Sequence, residues 1–308
     1  MSVRETTYRD VRALEVDSGK VKALFLPDNG SRFISLIDAK NGREWMASEC
    51  GEHYKPIWEE TSYIEGDVCG MDDMFPTIDP EIAPVEGGVR AGVEYNDHGE
   101  VCRHGFDWRL EDGKAIMTFV SDRLAYKYVK TCYAGVSGEI VFDYHIENLS
   151  DDAFPFLWAG HCMLAHEEGG KVVVPYEQGA KGELCFDEDA EYGVRGDQFE
   201  VTPEMLVSRK FTPEGNAYKF YYLDPTPKGE IKYVVGERAF VMEYDKDIMP
   251  YVGIWMNNGK FKGFPCATPE PCTVAFDKVS EGDKRGMHSV IPARGAFDFT
   301  IRVSVQDI

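Results

Sequence analysis

Three stretches of this chain bring titratable side chains together with turns and aromatic residues. Residues 96–108, NDHGEVCRHGFDW, carry His98 and His104, each followed by a glycine. Residues 148–166, NLSDDAFPFLWAGHCMLAH, run from a polar turn through an apolar segment to His161. Residues 251–277 carry GIWMNNG, then Glu270 in EPCT, then Asp277. An imidazole (reference pKa about 6.5) and a carboxylate (about 4.3) are the usual means of moving protons near neutral pH, once their surroundings tune them. Glu270 directly precedes Pro271, which restricts it to extended backbone and favours a fixed carboxylate. Each stretch also has a plainer reading. Asp97 and Gly99 can make a turn in which His98 only bonds backbone, His161 can be a satisfied core imidazole, and Glu270 can be a solvated loop residue.

A metal centre competes for the first stretch. His98, Glu100, Cys102 and His104 share one parity, so on a single strand they would share one face. Gly99 and Gly105 weaken such a strand, and the mixed row fits no standard ligand spacing, so neither a metal nor any other cofactor is expected. There is no G-x-S-x-G elbow and no glycine-rich loop with a lysine, which sets aside serine hydrolases and nucleotide phosphates.

These residues need strands to hold them. Residues 21–27 and 32–38 are β-rich runs on either side of Asp28-Asn29-Gly30, which predicts a hairpin. From residue 115 onward, runs at 115–120, 125–133, 139–146 and 154–158 alternate with turns, and IVFDYHIEN alternates apolar with polar residues. Further runs follow at 217–223, 231–235, 239–244, 251–256 and 296–305. Residues 45–84 read as loops with at most one helical turn, and no sustained helical stripe occurs. Many short strands with turns between them predict an all-β chain, a large antiparallel β-sandwich in one domain spanning residues 1–308.

Composition narrows the partners. The net charge of −21 argues against nucleic acid and against an anionic membrane surface. No stretch is long and apolar enough to span a bilayer, and the charged first sixteen residues lack a secretory apolar core, so a cytoplasmic protein is expected. The eight cysteines, at 50, 69, 102, 132, 162, 185, 266 and 272, show no CxxC pair and read as reduced, mostly buried thiols. Oligomeric state is not legible.

The order of PDNGSRFISLID, GMDDMFPTI, NDHGE, IENLSDDAFPFLWAGH, PYVGIW and EPCT with Asp277 resembles the aldose 1-epimerase, or galactose mutarotase-like, family from about residue 20 to the C-terminus. That resemblance implies a large antiparallel β-sandwich with a sugar-binding cleft on one sheet, acting on a monosaccharide. It implies acid–base interconversion of α and β anomers, with Glu270 as general base, His161 as general acid and His98 as the second histidine near the ring oxygen. Acid and base would lie on opposite sides of one sugar. His104 is the alternative match to the first histidine, and His98 is preferred because DHGE follows FPTI at the expected remove. Where many members carry an arginine, this chain reads Asp72-Asp73-Met74-Phe75, so Asp73 is expected to bind sugar hydroxyls, with Trp255 and Lys219 as further cleft residues. Two other functions fit the same fold: a non-catalytic carbohydrate-binding or sensing protein, and a metal-dependent sugar isomerase or lyase.

Overall fold

The computed structural model describes residues 1–48 and 51–308. Its hairpins form where turn chemistry and alternation coincide. Val21–Leu26 and Arg32–Asp38 pair antiparallel, with Leu26 opposite Arg32. Gly30 in their turn has φ 68°, and a Cβ there would lie 2.6 Å from the Cys102 Cα, so only glycine fits. Ile140–Asn148 buries Ile140, Phe142, Tyr144 and Ile146 while Asp143, His145 and Glu147 stay half-exposed, as alternation predicts.

The strands make two large sheets with antiparallel pairing throughout. A 12-stranded sheet runs, in spatial order, Ser2–Tyr8, Val11–Asp17, Val21–Leu26, Arg32–Asp38, Met71–Met74, Ala159–Cys162, Cys266–Cys272, Tyr251–Asn257, Ala217–Tyr222, Lys181–Asp187 and Gln198–Glu200, with Leu164–Ala165 added beside Cys266–Cys272. An 8-stranded sheet runs Lys171–Val173, Glu230–Val235, Arg238–Tyr244, Ala296–Asp307, Ile140–Asn148, Tyr126–Ala134, Lys114–Ser121 and Asp107–Glu111. Aromatic side chains fill the space between them. Phe142 meets Phe25 and Phe33 at ring distances of 5.4 and 5.1 Å, and Trp158 lies 5.4 Å from Tyr144 and 4.7 Å from Phe299.

Several expectations need correction. The strand expected at 154–158 is broken: Phe154–Pro155 pairs with Val290–Ile291, and Trp158 N instead donates to Thr273 Oγ1. Pro155 has no N–H to continue a ladder. His161 therefore lies inside its own strand, Ala159–Cys162, rather than beyond one. The segment 45–84 holds a 3₁₀ turn at Tyr63–Glu65, as allowed for, and also the unforeseen strand Met71–Met74. A short α-helix, Val279–Lys284, follows the EPCT strand. Cys69, Cys102, Cys132, Cys162, Cys185, Cys266 and Cys272 are buried, while Cys50 lies outside the described residues. Among the described residues no helix is long and apolar enough to cross a membrane.

Candidate active site

Alternation along the short strand Met71–Met74 decides which acid faces where. Asp72 pairs with His161 and Asp73 with Gly160, so the two carboxylates leave opposite faces of the sheet. On the outer face, Arg32 Nε is 2.8 Å from Asp72 Oδ1 and Tyr63 donates its hydroxyl proton to Asp72 Oδ2 at 2.6 Å. On the inner face, Lys130 Nζ lies 2.9 Å from Asp73 Oδ2 and Tyr144 donates to Asp73 Oδ1 at 3.0 Å. Asp73 and Lys130 are both sealed between the sheets. The expectation of Asp73 as a sugar contact is thus wrong, since its side chain faces away from the cleft and lies between the sheets.

The outer face collects the other groups by the same rule. Ala159 pairs with Cys272, so two residues along, His161 lies beside Glu270, with Nε2 3.7 Å from Oε1. Lys219 and Tyr221 project together from Ala217–Tyr222, and Gly253 is opposite both Tyr221 and Glu270. A Cβ on Gly253 would lie 2.8 Å from the Tyr221 ring, so this glycine makes room for the tyrosine. Lys219 Nζ is 2.7 Å from Glu270 Oε2 and 2.8 Å from Asp277 Oδ1. Tyr221 donates to that same Asp277 oxygen at 2.7 Å.

His98 comes from a loop, not a strand. It has φ 59° and its N–H donates to the Ile78 carbonyl, while Gly99 N closes the turn on Asn96 O. Gly99 must be glycine because a Cβ would lie 2.3 Å from the Phe75 carbonyl oxygen. The His98 ring stacks on Tyr63 at 3.6 Å and stands 5.7 Å from the His161 ring. Its Nδ1 is 2.9 Å from Asp97 Oδ1. Burial pushes the Asp97 carboxyl up, but the hydrogen bond from His98 and the charges of His98 and Arg103 prevail and hold it below the usual range. An ionised Asp97 can only accept, so the proton of this bond sits on His98 Nδ1, and Nε2 is left for other partners.

The remaining electrostatics follow from burial. His161 is held well below the ordinary imidazole value, chiefly by desolvation and then by the positive neighbours His98, Lys219 and Arg32. Its buried Nδ1 has no hydrogen-bond partner among the described residues. Glu270, fully buried, is pushed up by desolvation, with Asp277 adding and Lys219 opposing. Lys219 would be pushed down by burial, but Asp277 and Glu270 outweigh that and hold it well above its ordinary value. Asp79 is raised by burial and by Asp277.

Tyr63, His98, His161, Lys219, Trp255, Glu270 and Asp277 all line one cavity of about 290 Å³. That volume is at the small end of the range for small-molecule pockets, about 300–1,000 Å³. Trp255 meets Phe186 and Phe261 at ring distances of 5.5 and 5.6 Å and forms an aromatic wall. His104 does not take part; it stacks on Phe119 at 4.7 Å. Val101–Arg103 is a 3₁₀ turn, so the row His98, Glu100, Cys102, His104 is not a strand face, and among the described residues no cluster of three or more His, Cys, Asp or Glu is placed to hold a metal ion.

Among the charged lining residues, Asp79 and Arg195 were not foreseen, and neither was the aromatic Tyr63 beneath His98. Arg195 Nη2 is 3.1 Å from Glu281 Oε2, and its Nη1 is 3.8 Å from Asp79 Oδ2. The signal available was a lone arginine inside the acidic run 187–197, which says nothing of a cavity until the loop is folded over it.

The fold, two antiparallel sheets with a cavity of apolar walls and clustered titratable groups on the outer face of the larger one, is galactose mutarotase-like. The chain is similar over 98% of its length to 99% of the Slr1438 protein from Synechocystis, at 11% identity and TM-score 0.72. A galactose mutarotase-like protein from Clostridium acetobutylicum matches 99% of this chain over 98% of its own, at 13% identity and TM-score 0.67. A GalM/aldose epimerase homologue from C. elegans matches 96% over 99% of its own, at 9% identity and TM-score 0.60. No protein-family model matches the chain, and no curated protein matches it.

Proposed function

We propose that this protein is a cofactor-independent mutarotase or closely related epimerase, interconverting α and β anomers of a neutral monosaccharide. The observation that carries the proposal is the convergence of His98, His161 and Glu270 on one monosaccharide-sized cavity. Opening a pyranose requires a base for the anomeric hydroxyl proton and an acid for the ring oxygen, and reclosure on the other face of the carbonyl reverses both. Both oxygens are bonded to the same carbon, and His161 and Glu270, 3.7 Å apart on one wall, and His98 from its loop all open onto the cavity that would hold it.

Glu270 is the base. Of the two imidazoles, His98 is the better carrier of the mobile proton, because Asp97 fixes its Nδ1–H and leaves Nε2 to give and take. His161, held well below the ordinary imidazole value by burial and its positive neighbours, is a hydrogen-bond partner at the same oxygens. This reverses the roles implied by the family resemblance. Both cations lining the cavity, Lys219 and Arg195, are already engaged by carboxylates, which supports a neutral sugar over a phosphorylated or acidic one.

The test is anomer exchange, followed by NMR or polarimetry on a panel of aldoses. Wild type should accelerate exchange of at least one neutral aldose; Glu270→Gln should lose about 10² to 10⁴ of that, and His98→Asn should lose more than His161→Asn. Full activity in Glu270→Gln would remove the proposal. Saturable quenching of Trp255 fluorescence by sugars without any acceleration would instead support a binding or sensing protein.

A further inference from the structure

Lys219 was expected to touch the sugar, yet its surroundings are those of a group committed elsewhere. It is 7% exposed, and two of its three N–H donors have carboxylate partners within 2.8 Å. The partner that is not needed for the chemistry, Asp277, is held with unusual care. Phe276 and Asp277 both take left-handed backbone, with φ 73° and 67°, which side-chain-bearing residues adopt only when their surroundings impose it. The Asp277 carbonyl accepts from the N–H groups of Ile78 and Asp79 and from Thr77 Oγ1, and its side chain is fixed by Tyr221. The chain therefore keeps a strained turn in order to present a second carboxylate to a buried ammonium.

Glu270 explains why. It is fully buried, and desolvation alone would favour its protonated form, which cannot accept a proton. The charged or titratable groups facing it are His161 from the neighbouring strand, Lys219 and Tyr221 from across the sheet, Asp277 from the strained turn and His98 from its loop, with Cys272 on its own strand. The ammonium is the permanent positive charge in direct contact, and it meets Oε2. Neither Glu270 oxygen has a hydrogen bond of good geometry among the described residues, and Oε1, the oxygen clear of the ammonium, remains open as the proton acceptor. A Schiff-base role for Lys219 would need a neutral amine, which two adjacent carboxylates disfavour.

We propose that Lys219 is a positioning residue that keeps Glu270 a carboxylate and turns its Oε1 toward the substrate, with Asp277 and Tyr221 anchoring the ammonium. The proposal rests on reading the cavity as a mutarotase site, and it separates from that reading because the state of Glu270 can be followed without substrate. The full chain, labelled with ¹³C at glutamate carboxyls, is titrated by NMR, with Glu270→Gln identifying the resonance. Lys219→Met should raise the Glu270 midpoint by at least about one pH unit, a tenfold change in proton affinity. Asp277→Asn, which tolerates left-handed backbone, should lower it, because a repelling charge is gone while the ammonium stays.

In kinetics, Lys219→Met should move the acid limb of kcat/KM upward with the titration and cut kcat by about tenfold or more while KM changes little. Lys219→Arg should keep the limb in place and lose part of kcat. A Glu270 midpoint unmoved in both Lys219→Met and Asp277→Asn would overturn the proposal. So would a raised KM with an unmoved limb, since that is the behaviour of a sugar contact. If wild type accelerates no aldose, the mutarotase reading fails while the carboxyl titration still decides what Lys219 does.

Discussion

His161 shows how one buried side chain couples the site to the stability of the fold. Its imidazole is held neutral when folded and takes a proton near pH 6.5 when unfolded. The folded state then binds fewer protons, so the contribution of His161 to stability is present above about pH 6.5 and is lost as pH falls from there toward its depressed folded value. Glu270 and Asp73, both raised by burial, act in the opposite sense at lower pH. His161→Asn should therefore unfold with a smaller loss of Tm between neutral and mildly acidic buffer than wild type does. Equal losses in the two proteins, measured by thermal melts, would contradict this. At this scale the sequence was informative for His98, His161 and Glu270, because the ordered motifs that carry the family resemblance contain them, whereas each taken alone had a plain structural reading. Asp73 misled, since parity within a four-residue strand set in an aperiodic stretch leaves no pattern to read. Asp79 and Arg195 were hidden because their proximity is made by loops.

At the scale of the elements, the strand pair Ala217–Tyr222 and Tyr251–Asn257 carries much of the burden. Gly253 is the position where two functions meet: it lies opposite Tyr221, whose hydroxyl fixes Asp277, and opposite Glu270. Gly253→Ala should cost about 1–3 kcal/mol through overpacking. It should also slow anomer exchange by displacing Tyr221 from Asp277. Urea unfolding together with exchange rates checks both halves; unchanged exchange in a destabilised variant would mean that the tyrosine adjusts without moving Asp277. Strands with one buried face, such as Ile140–Asn148, were legible because alternation is their physical signature. Ser2–Tyr8 was not, because it is an edge strand with no buried residue. The break at Pro155 was visible in the sequence as a proline, but the apolar run around it outweighed that signal.

For the whole molecule, the question is what joins the two sheets besides apolar packing. Lys130 and Asp73 form an ion pair with no solvent exposure, reinforced by Tyr144. Asp73→Ala leaves an uncompensated ammonium in the core and should cost about 3–5 kcal/mol. The double variant Asp73→Leu with Lys130→Met should recover most of that loss, which denaturant melts would show. A double variant as unstable as Asp73→Ala, with no charge left unpaired, would mean that the pair itself stabilises the sandwich. Any folded Asp73 variant should keep its KM for sugar, because the side chain is on the far side of the sheet. The two-sheet architecture was legible from strand number and spacing, whereas the pairing order, with the Met71–Met74 strand inserted beside the histidine strand, depends on contacts between residues far apart in the chain.

The adjacent acids Asp72 and Asp73 carry a consequence for heredity. Next to each other in the gene, they answer to different company: Asp72 to Arg32 and Tyr63, Asp73 to Lys130 and Tyr144. As lineages of this protein diverge, each acid should change together with its own distant companions and independently of its neighbour. A drift at position 73 should then be recorded at position 130 long before it is recorded at position 72, which paired substitutions across descendants of this sequence would reveal.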